Sequence, residues 1–128
     1  MIRTVHLFSA ALLVGTLSAC ATMMPAAPAK TVDGVLTNAS GMTLYTFDRD
    51  AADSGKSVCN GPCATNWPPL MAAADAKASG AWSIVARDDG AKQWAYKGRP
   101  LYAWSKDQKP GDRTGDGFLN NAWHVAKE

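Results

Sequence analysis

The chain repeats itself. Gly41-x-x-Leu44-Tyr45-x-Phe47-x-x-Asp50 in the first half returns as Gly98-x-x-Leu101-Tyr102-x-Trp104-x-x-Asp107 in the second. Each copy is followed at nearly the same spacing by a tryptophan, Trp67 or Trp123, and Asp33-Gly34 opens the first unit as Asp89-Gly90 opens the second. A unit this short cannot bury a hydrophobic face alone, so two copies are expected to pack together around one core. The pattern predicts one small domain over 33–126, made of two pseudo-symmetric repeats. Repeat 1 runs over about 33–70 and repeat 2 over about 89–126.

Within the repeats the local signals are those of short strands and turns. Gly34 to Thr37 and Met42 to Phe47 read as strands around an Asn38-to-Gly41 turn. Trp82 to Arg87 and Gln93 to Tyr96 read as a hairpin around Asp88-Asp89-Gly90, and Pro100 to Trp104 and Ala122 to Val125 as further strands. Pro62 to Asn66 suits one helical turn, with proline at its first position, and Trp67-Pro68-Pro69 stops it. Residues 72–79 read as a short helix or an exposed loop. Asp48 to Gly61 and Ser105 to Gly117 are long polar loops. The expected fold class is all-β, mainly antiparallel strands with short helical turns and long loops.

The first 19 residues carry a different message. Arg3 gives a positive start, and Leu7 to Leu17 is apolar but too short to span a bilayer. Leu17-Ser18-Ala19-Cys20 then resembles the lipobox of bacterial lipoproteins. That resemblance implies a signal peptide over 1–19 and diacylglycerol and acyl chains on Cys20. It also implies a membrane anchor made effectively permanent by about 0.8 kcal/mol per buried CH₂. Ala21 rather than Asp after the cysteine implies, by the same resemblance, sorting to the outer membrane, facing the periplasm. Residues 20–32 are Ala/Pro-rich and read as the lipidated cysteine with a flexible tether, in which Met23 and Met24 are filler rather than a copper site.

With Cys20 assigned to lipid, Cys59 and Cys63 remain. An exported compartment is oxidising, so a disulfide is the default. The spacing has three residues between the cysteines, not two, and no histidine follows, which argues against thioredoxin-like chemistry and haem attachment. The formal charge of +2 includes Arg3, which leaves with the signal. There is no basic surplus for a nucleic-acid partner.

The folded region as a whole resembles the bacterial lipoproteins that carry a Tyr-x-aromatic-x-x-Asp motif, a secreted repeat with a Tyr-x4-Asp signature. The residues that carry the likeness are Leu44-Tyr45-x-Phe47-x-x-Asp50, Cys59-x-Gly61-x-Cys63-Ala64, Trp67-Pro68-Pro69-Leu70, Gln93-Trp94-x-Tyr96-x-Gly98-x-Pro100-Leu101-Tyr102, and the run from Gly111-Asp112 through Gly115-x-Gly117 to Trp123. The family has no assigned reaction, so the likeness implies a class and a location only.

Two readings of the motif are open. Tyr45 and Phe47, two apart on a strand, point to one face. In the first reading Tyr45, Phe47, Tyr102 and Trp104 fill the core while Asp50 and Asp107 accept loop N–H groups. In the second these six residues line a ligand site. Duplication favours the first, since one site rarely needs two copies. Asp112, Asp116 and His124 are the candidate metal ligands, but they lack an EF-hand spacing, and interleaved Lys and Arg make solvated ion pairs the ordinary explanation. No Gly-x-Ser-x-Gly elbow or His-Glu-x-x-His motif is present. The expectation is a non-catalytic envelope module without a cofactor, binding an envelope protein or a glycan through exposed aromatics. The alternative is a periplasmic redox or metal-binding accessory protein. All five tryptophans lie after residue 66, and Trp67, Trp94, Trp104 and Trp123 are the binding-face candidates.

Overall fold

A computed structural model describes Gly15 and residues 27–128. Apart from Gly15, the segment expected to be a signal peptide lies outside the described residues, as do Cys20, Met23 and Met24. The elements are β1 (Lys30–Val32), β2 (Val35–Thr37), β3 (Tyr45–Phe47), α1 (Pro62–Asn66), β4 (Met71–Ala72), β5 (Trp82–Ala86), β6 (Lys92–Tyr96), β7 (Arg99–Pro100), α2 (Phe118–Asn121) and β8 (Trp123–Val125). Every named pairing is antiparallel: β1 with β2, β3 with β8, and β4, β5 and β7 with β6. The fold is all-β apart from the two short helices.

The first strand corrects one expectation. Lys30–Val32 belongs to the sheet, with Val32 opposite Val35, so pairing starts inside the segment read as tether. The cause is local. Thr31 and Val32 are β-branched, and Asp33-Gly34, with φ of 50° and 78°, makes the two-residue turn that folds them back onto β2. Lys97-Gly98 has the same pair of φ values, 50° and 78°, and joins β6 to β7 in the same way.

The central strands are shorter than their hydrophobic runs because the chain changes partner along each run. In repeat 1 three N–H groups form a cycle: Leu36 donates to Ala126 (2.9 Å), Ala126 to Leu44 (2.8 Å) and Leu44 to Leu36 (2.9 Å). In repeat 2 the same cycle runs from Trp94 to Leu70 (2.8 Å), Leu70 to Leu101 (2.9 Å) and Leu101 to Trp94 (3.1 Å). One residue later the two halves meet, and Tyr45 and Tyr102 exchange both backbone hydrogen bonds, at 2.7 and 3.0 Å. The run expected as a strand over 100–104 is therefore β7, then Leu101 in one sheet, then Tyr102 bridged to Tyr45 and Pro69.

The cycles also show which copy supplies what. Ala126, from the end of repeat 2, completes the sheet of repeat 1, and Leu70, from the end of repeat 1, completes that of repeat 2. The return segments are exchanged, so neither repeat is a finished unit without the other. Residues 72–79 form no helix: Met71–Ala72 pair with β6, and a turn at Ala74 and Asp75 leads to the loop before β5. The stretch after Gly117 turns through three left-handed residues, Leu119, Asn120 and Asn121, which the sequence pattern does not announce.

Candidate functional site

The motif residues converge across the exchange. The Tyr45 hydroxyl donates to Asp107 Oδ2 at 2.6 Å, and the Tyr102 hydroxyl to Asp50 Oδ2 at 2.5 Å. Each tyrosine thus reaches the aspartate of the other repeat. The second oxygen of each carboxylate holds its own loop: Asp50 Oδ1 accepts from Val58 N–H (2.8 Å), and Asp107 Oδ1 from Thr114 N–H (3.0 Å) and the Thr114 hydroxyl (2.5 Å). Both tyrosines are fully buried and both aspartates nearly so. Between them Phe47, Trp123, Trp67 and Trp104 form a stack with ring centroids 4.2, 3.7 and 3.9 Å apart, and Trp67 and Trp123 lie within 3° of parallel. Tyr45 meets Trp67 edge-on at 5.3 Å, and Tyr102 meets Trp123 edge-on at 5.1 Å.

One member of this centre is missed by sequence reasoning. Arg87 is buried, donating to Ser57 Oγ (3.1 Å), Gln93 Oε1 (2.8 Å), the Cys59 carbonyl (2.5 Å) and Asn60 Oδ1 (3.2 Å). Gln93 in turn donates to the Leu101 carbonyl at 2.8 Å. Strand parity carries the signal: Arg87 follows Val85 by two, on the face that β5 buries. Ser57 links Arg87 to the motif, with its Oγ 2.6 Å from the Tyr102 hydroxyl. Tyr102 gives its proton to Asp50, so Ser57 is the donor in that contact.

The electrostatics follow from burial. Burial pushes the Asp50 carboxyl above its ordinary range, against the opposing pull of the Tyr102 hydroxyl, the Val58 N–H and the Arg87 charge. Burial, reinforced by the aspartate each phenol faces, raises Tyr45 and Tyr102 well above the ordinary 10.0. An unfolded phenol ionises near pH 10 and these do not. They contribute stability in full below pH 10 that is lost as pH climbs past it, by about 1.4 kcal/mol per phenol per pH unit. In an alkaline titration, tyrosinate absorbance from these two residues is expected to appear together with loss of near-ultraviolet circular dichroism. Tyr45→Phe and Tyr102→Phe should each flatten the alkaline limb of the stability curve. A tyrosinate signal from either residue in a chain still folded would contradict this.

The other sequence candidates are dispersed. Cys59 and Cys63 form a disulfide, S–S 2.02 Å, that packs Cys59 against the tryptophan stack and closes a small loop, contributing about 2 kcal/mol. His124 Nε2 lies 2.8 Å from Asp48 at the surface. Asp112 accepts from the Gln108 and Lys109 N–H groups, and Asp116 from the Val125 N–H. The three proposed metal ligands are thus each engaged with a different partner. Trp67, Trp104 and Trp123 are buried in the stack and drop out as binding-face residues, whereas Trp94 is only half-buried.

The motif centre is closed: among the described residues no buried side-chain polar atom lacks a hydrogen-bond partner. Space for a ligand lies elsewhere. On the face of β5 and β6 opposite Val85 and Gln93, where Trp82 and Tyr96 also pack against the Leu36, Leu44, Leu101 and Ala126 cluster, Trp82 meets Trp94 edge-on at 6.2 Å and Tyr96 at 4.8 Å. A cavity of about 540 Å³ opens there, lined by Trp82, Trp94, Asp75, Lys77, Ser79 and Pro28. From the sequence Trp82 is only the start of a strand; its pairing opposite Tyr96 across the β5–β6 hairpin is what gathers the three rings.

Comparison with known proteins agrees with the repeat geometry. No curated protein and no solved structure matches the chain. A family model described as a secreted repeat of unknown function matches twice, over residues 28–71 and 83–127, each match ending in the return segment that crosses to the other copy. Two matches that together take in most of the chain place it: the chain belongs to the family of secreted repeats of unknown function.

Proposed function

We propose that this protein is a non-catalytic binding module of the bacterial envelope, anchored through lipid on Cys20 to the outer membrane, and that its ligand is a glycan held in the Trp82–Trp94 cleft. The observation that carries the reading is the division of labour between the two aromatic clusters. The Tyr–Asp–Trp centre is enclosed and internally satisfied, leaving no free nucleophile or base there. The β5–β6 face offers partly exposed indole rings beside Asp75, Lys77 and Ser79, in a cavity of small-ligand size. Sugars present apolar C–H faces and a rim of hydroxyls, so they suit ring surfaces bordered by a carboxylate, an ammonium and a hydroxyl. A protein partner would need a larger continuous apolar surface than this cleft supplies.

Titration of the full chain in detergent with neutral oligosaccharides of envelope type, read by tryptophan emission, tests the reading. Saturable binding is expected, weakened at least tenfold by Trp94→Ala. Absence of saturable binding, or binding indifferent to Trp94, overturns it.

A further inference from the structure

The pseudo-twofold relation separates what the fold requires from what has been added to it. Positions shared by both repeats, such as Tyr45 and Tyr102 or Asp50 and Asp107, serve the common architecture. Beside Tyr96 lies a second cavity, of about 240 Å³, whose lining includes Lys97, Arg99, Lys127 and Thr46. Its counterparts in the other repeat are uncharged: Ser40 stands for Lys97, Met42 for Arg99 and Met71 for Lys127. The fold is therefore built without these three cations once, and carries them once.

Their setting is that of an anion site. Among the described residues the one ion pair is His124–Asp48, so none of the three cations is paired with a carboxylate. Asp53 packs over Gly98 without pairing with Lys97. Lys97 also sits at φ 50°, a backbone position that favours Asn, Asp or Gly. A lysine kept there places its Nζ 5.3 Å from the centre of the Tyr96 ring, and both residues line this cavity. Three unpaired cations, one of them a guanidinium suited to two-point contact, with a threonine hydroxyl as a further donor, match a phosphate.

The two cavities share one aromatic strip. Trp94, Trp82 and Tyr96 project from the same face of the β5–β6 hairpin, with Trp82 in contact with both of the others. We infer that the ligand is a phosphorylated glycan, with its sugar rings on Trp82 and Trp94 and its phosphate among Lys97, Arg99 and Lys127. This inference rests on the glycan reading above and adds the charge of the ligand.

The test uses the full chain in detergent and four probes: a neutral oligosaccharide, the same oligosaccharide bearing a phosphate monoester, inorganic phosphate, and vesicles of phosphatidylglycerol in phosphatidylcholine. The phosphorylated sugar is expected to bind at least tenfold more tightly than the neutral one at low salt, with the advantage shrinking as salt rises. Lys97→Ala with Arg99→Ala should abolish that advantage and leave the affinity for the neutral sugar unchanged, a control that the doubly substituted chain folds. Trp94→Ala should weaken both sugars. Equal affinity for the two sugars overturns the phosphate site while the glycan reading stands. Vesicles or inorganic phosphate that bind through Lys97 and Arg99, with neither sugar binding, would assign the cations to a headgroup or free phosphate and overturn both readings.

Discussion

Asp50→Ala is expected to destabilise the domain by about 3–5 kcal/mol, close to the whole stability of many domains this small. Removal of the carboxylate takes the acceptor from the buried Tyr102 hydroxyl and from the part-buried Val58 N–H, and orphaning a buried donor costs about 1–3 kcal/mol. It also removes a carboxylate whose charge acts on the buried Arg87, and opens a void beside the disulfide loop. Asp50→Asn separates these effects. The amide oxygen can accept from Val58, its NH₂ can donate to the Tyr102 oxygen, and Tyr102 can turn its proton to Ser57, so most of the network survives. The charge does not. Because the folded state raises the Asp50 pKa, the folded chain holds that proton more tightly than the unfolded chain does. The stability Asp50 contributes is complete below the ordinary value of 3.8 and falls as pH rises through the raised value. Urea unfolding across this window should therefore show the cost of Asp50→Asn greatest at acid pH and smaller toward neutrality. A cost for Asp50→Ala below about 1 kcal/mol, or a difference between wild type and Asp50→Asn that does not change with pH, would contradict the network.

How far the sequence discloses this structure depends on which relation is asked for. The repeat is legible because duplication leaves like residues at like spacing. The placement of Tyr45 and Phe47 on one buried face follows from the period of a strand. The exchange is not legible. The hydrophobic pattern of Trp67-Pro68-Pro69-Leu70 says that it pairs with a Leu-Tyr strand, and there are two identical Leu-Tyr strands to choose from. Loop geometry decides between them, and loop geometry is not periodic. For the same reason the sequence permits each aspartate to serve a tyrosine without telling that it serves the one in the other copy. Arg87 is missed for a different cause. Its strand parity points inward, but a buried arginine is credible only once Ser57, Gln93 and the Cys59 carbonyl are known to surround it, and they come from three separate segments. Lys30–Val32 is lost to the tether because an Ala/Pro-rich lead-in masks a three-residue strand whose only local mark is two β-branched residues before a turn.

The tryptophan stack makes the second large prediction, and it turns on a glycine. Trp67 is the ring that touches Trp123, Trp104, Tyr45 and Phe118, so Trp67→Ala removes the middle of the core and should cost about 3–5 kcal/mol in urea unfolding. Gly115 lies against it. A Cβ added there would stand 2.6 Å from Trp67 Cη2, 2.9 Å from Trp67 Cζ3 and 3.1 Å from Trp104 Cδ1. These are atoms of rings clamped on both faces, so they cannot swing away as a flexible side chain would. Gly115→Ala should thus cost about 1–3 kcal/mol through overpacking. The motif aspartates hold the Val58 N–H in repeat 1 and the Thr114 N–H in repeat 2, so the residue equivalent to Gly115 is Cys59, and the fold itself does not demand a glycine there. The demand comes from the second loop closing onto Trp67, and that can be isolated. Trp67→Phe removes the ring that carries Cη2 and Cζ3. On that background Gly115→Ala should lose most of its cost, giving a coupling of about 1–2 kcal/mol in the double-mutant cycle, with only the Trp104 contact left to oppose the methyl group. Val58→Ala, at the place that matches Thr114 and exposed, should change stability by no more than about 0.5 kcal/mol. If Gly115→Ala costs as much in the Trp67→Phe background as in the wild-type chain, the loop does not rest on the indole and the closed packing of the stack is wrong at this edge.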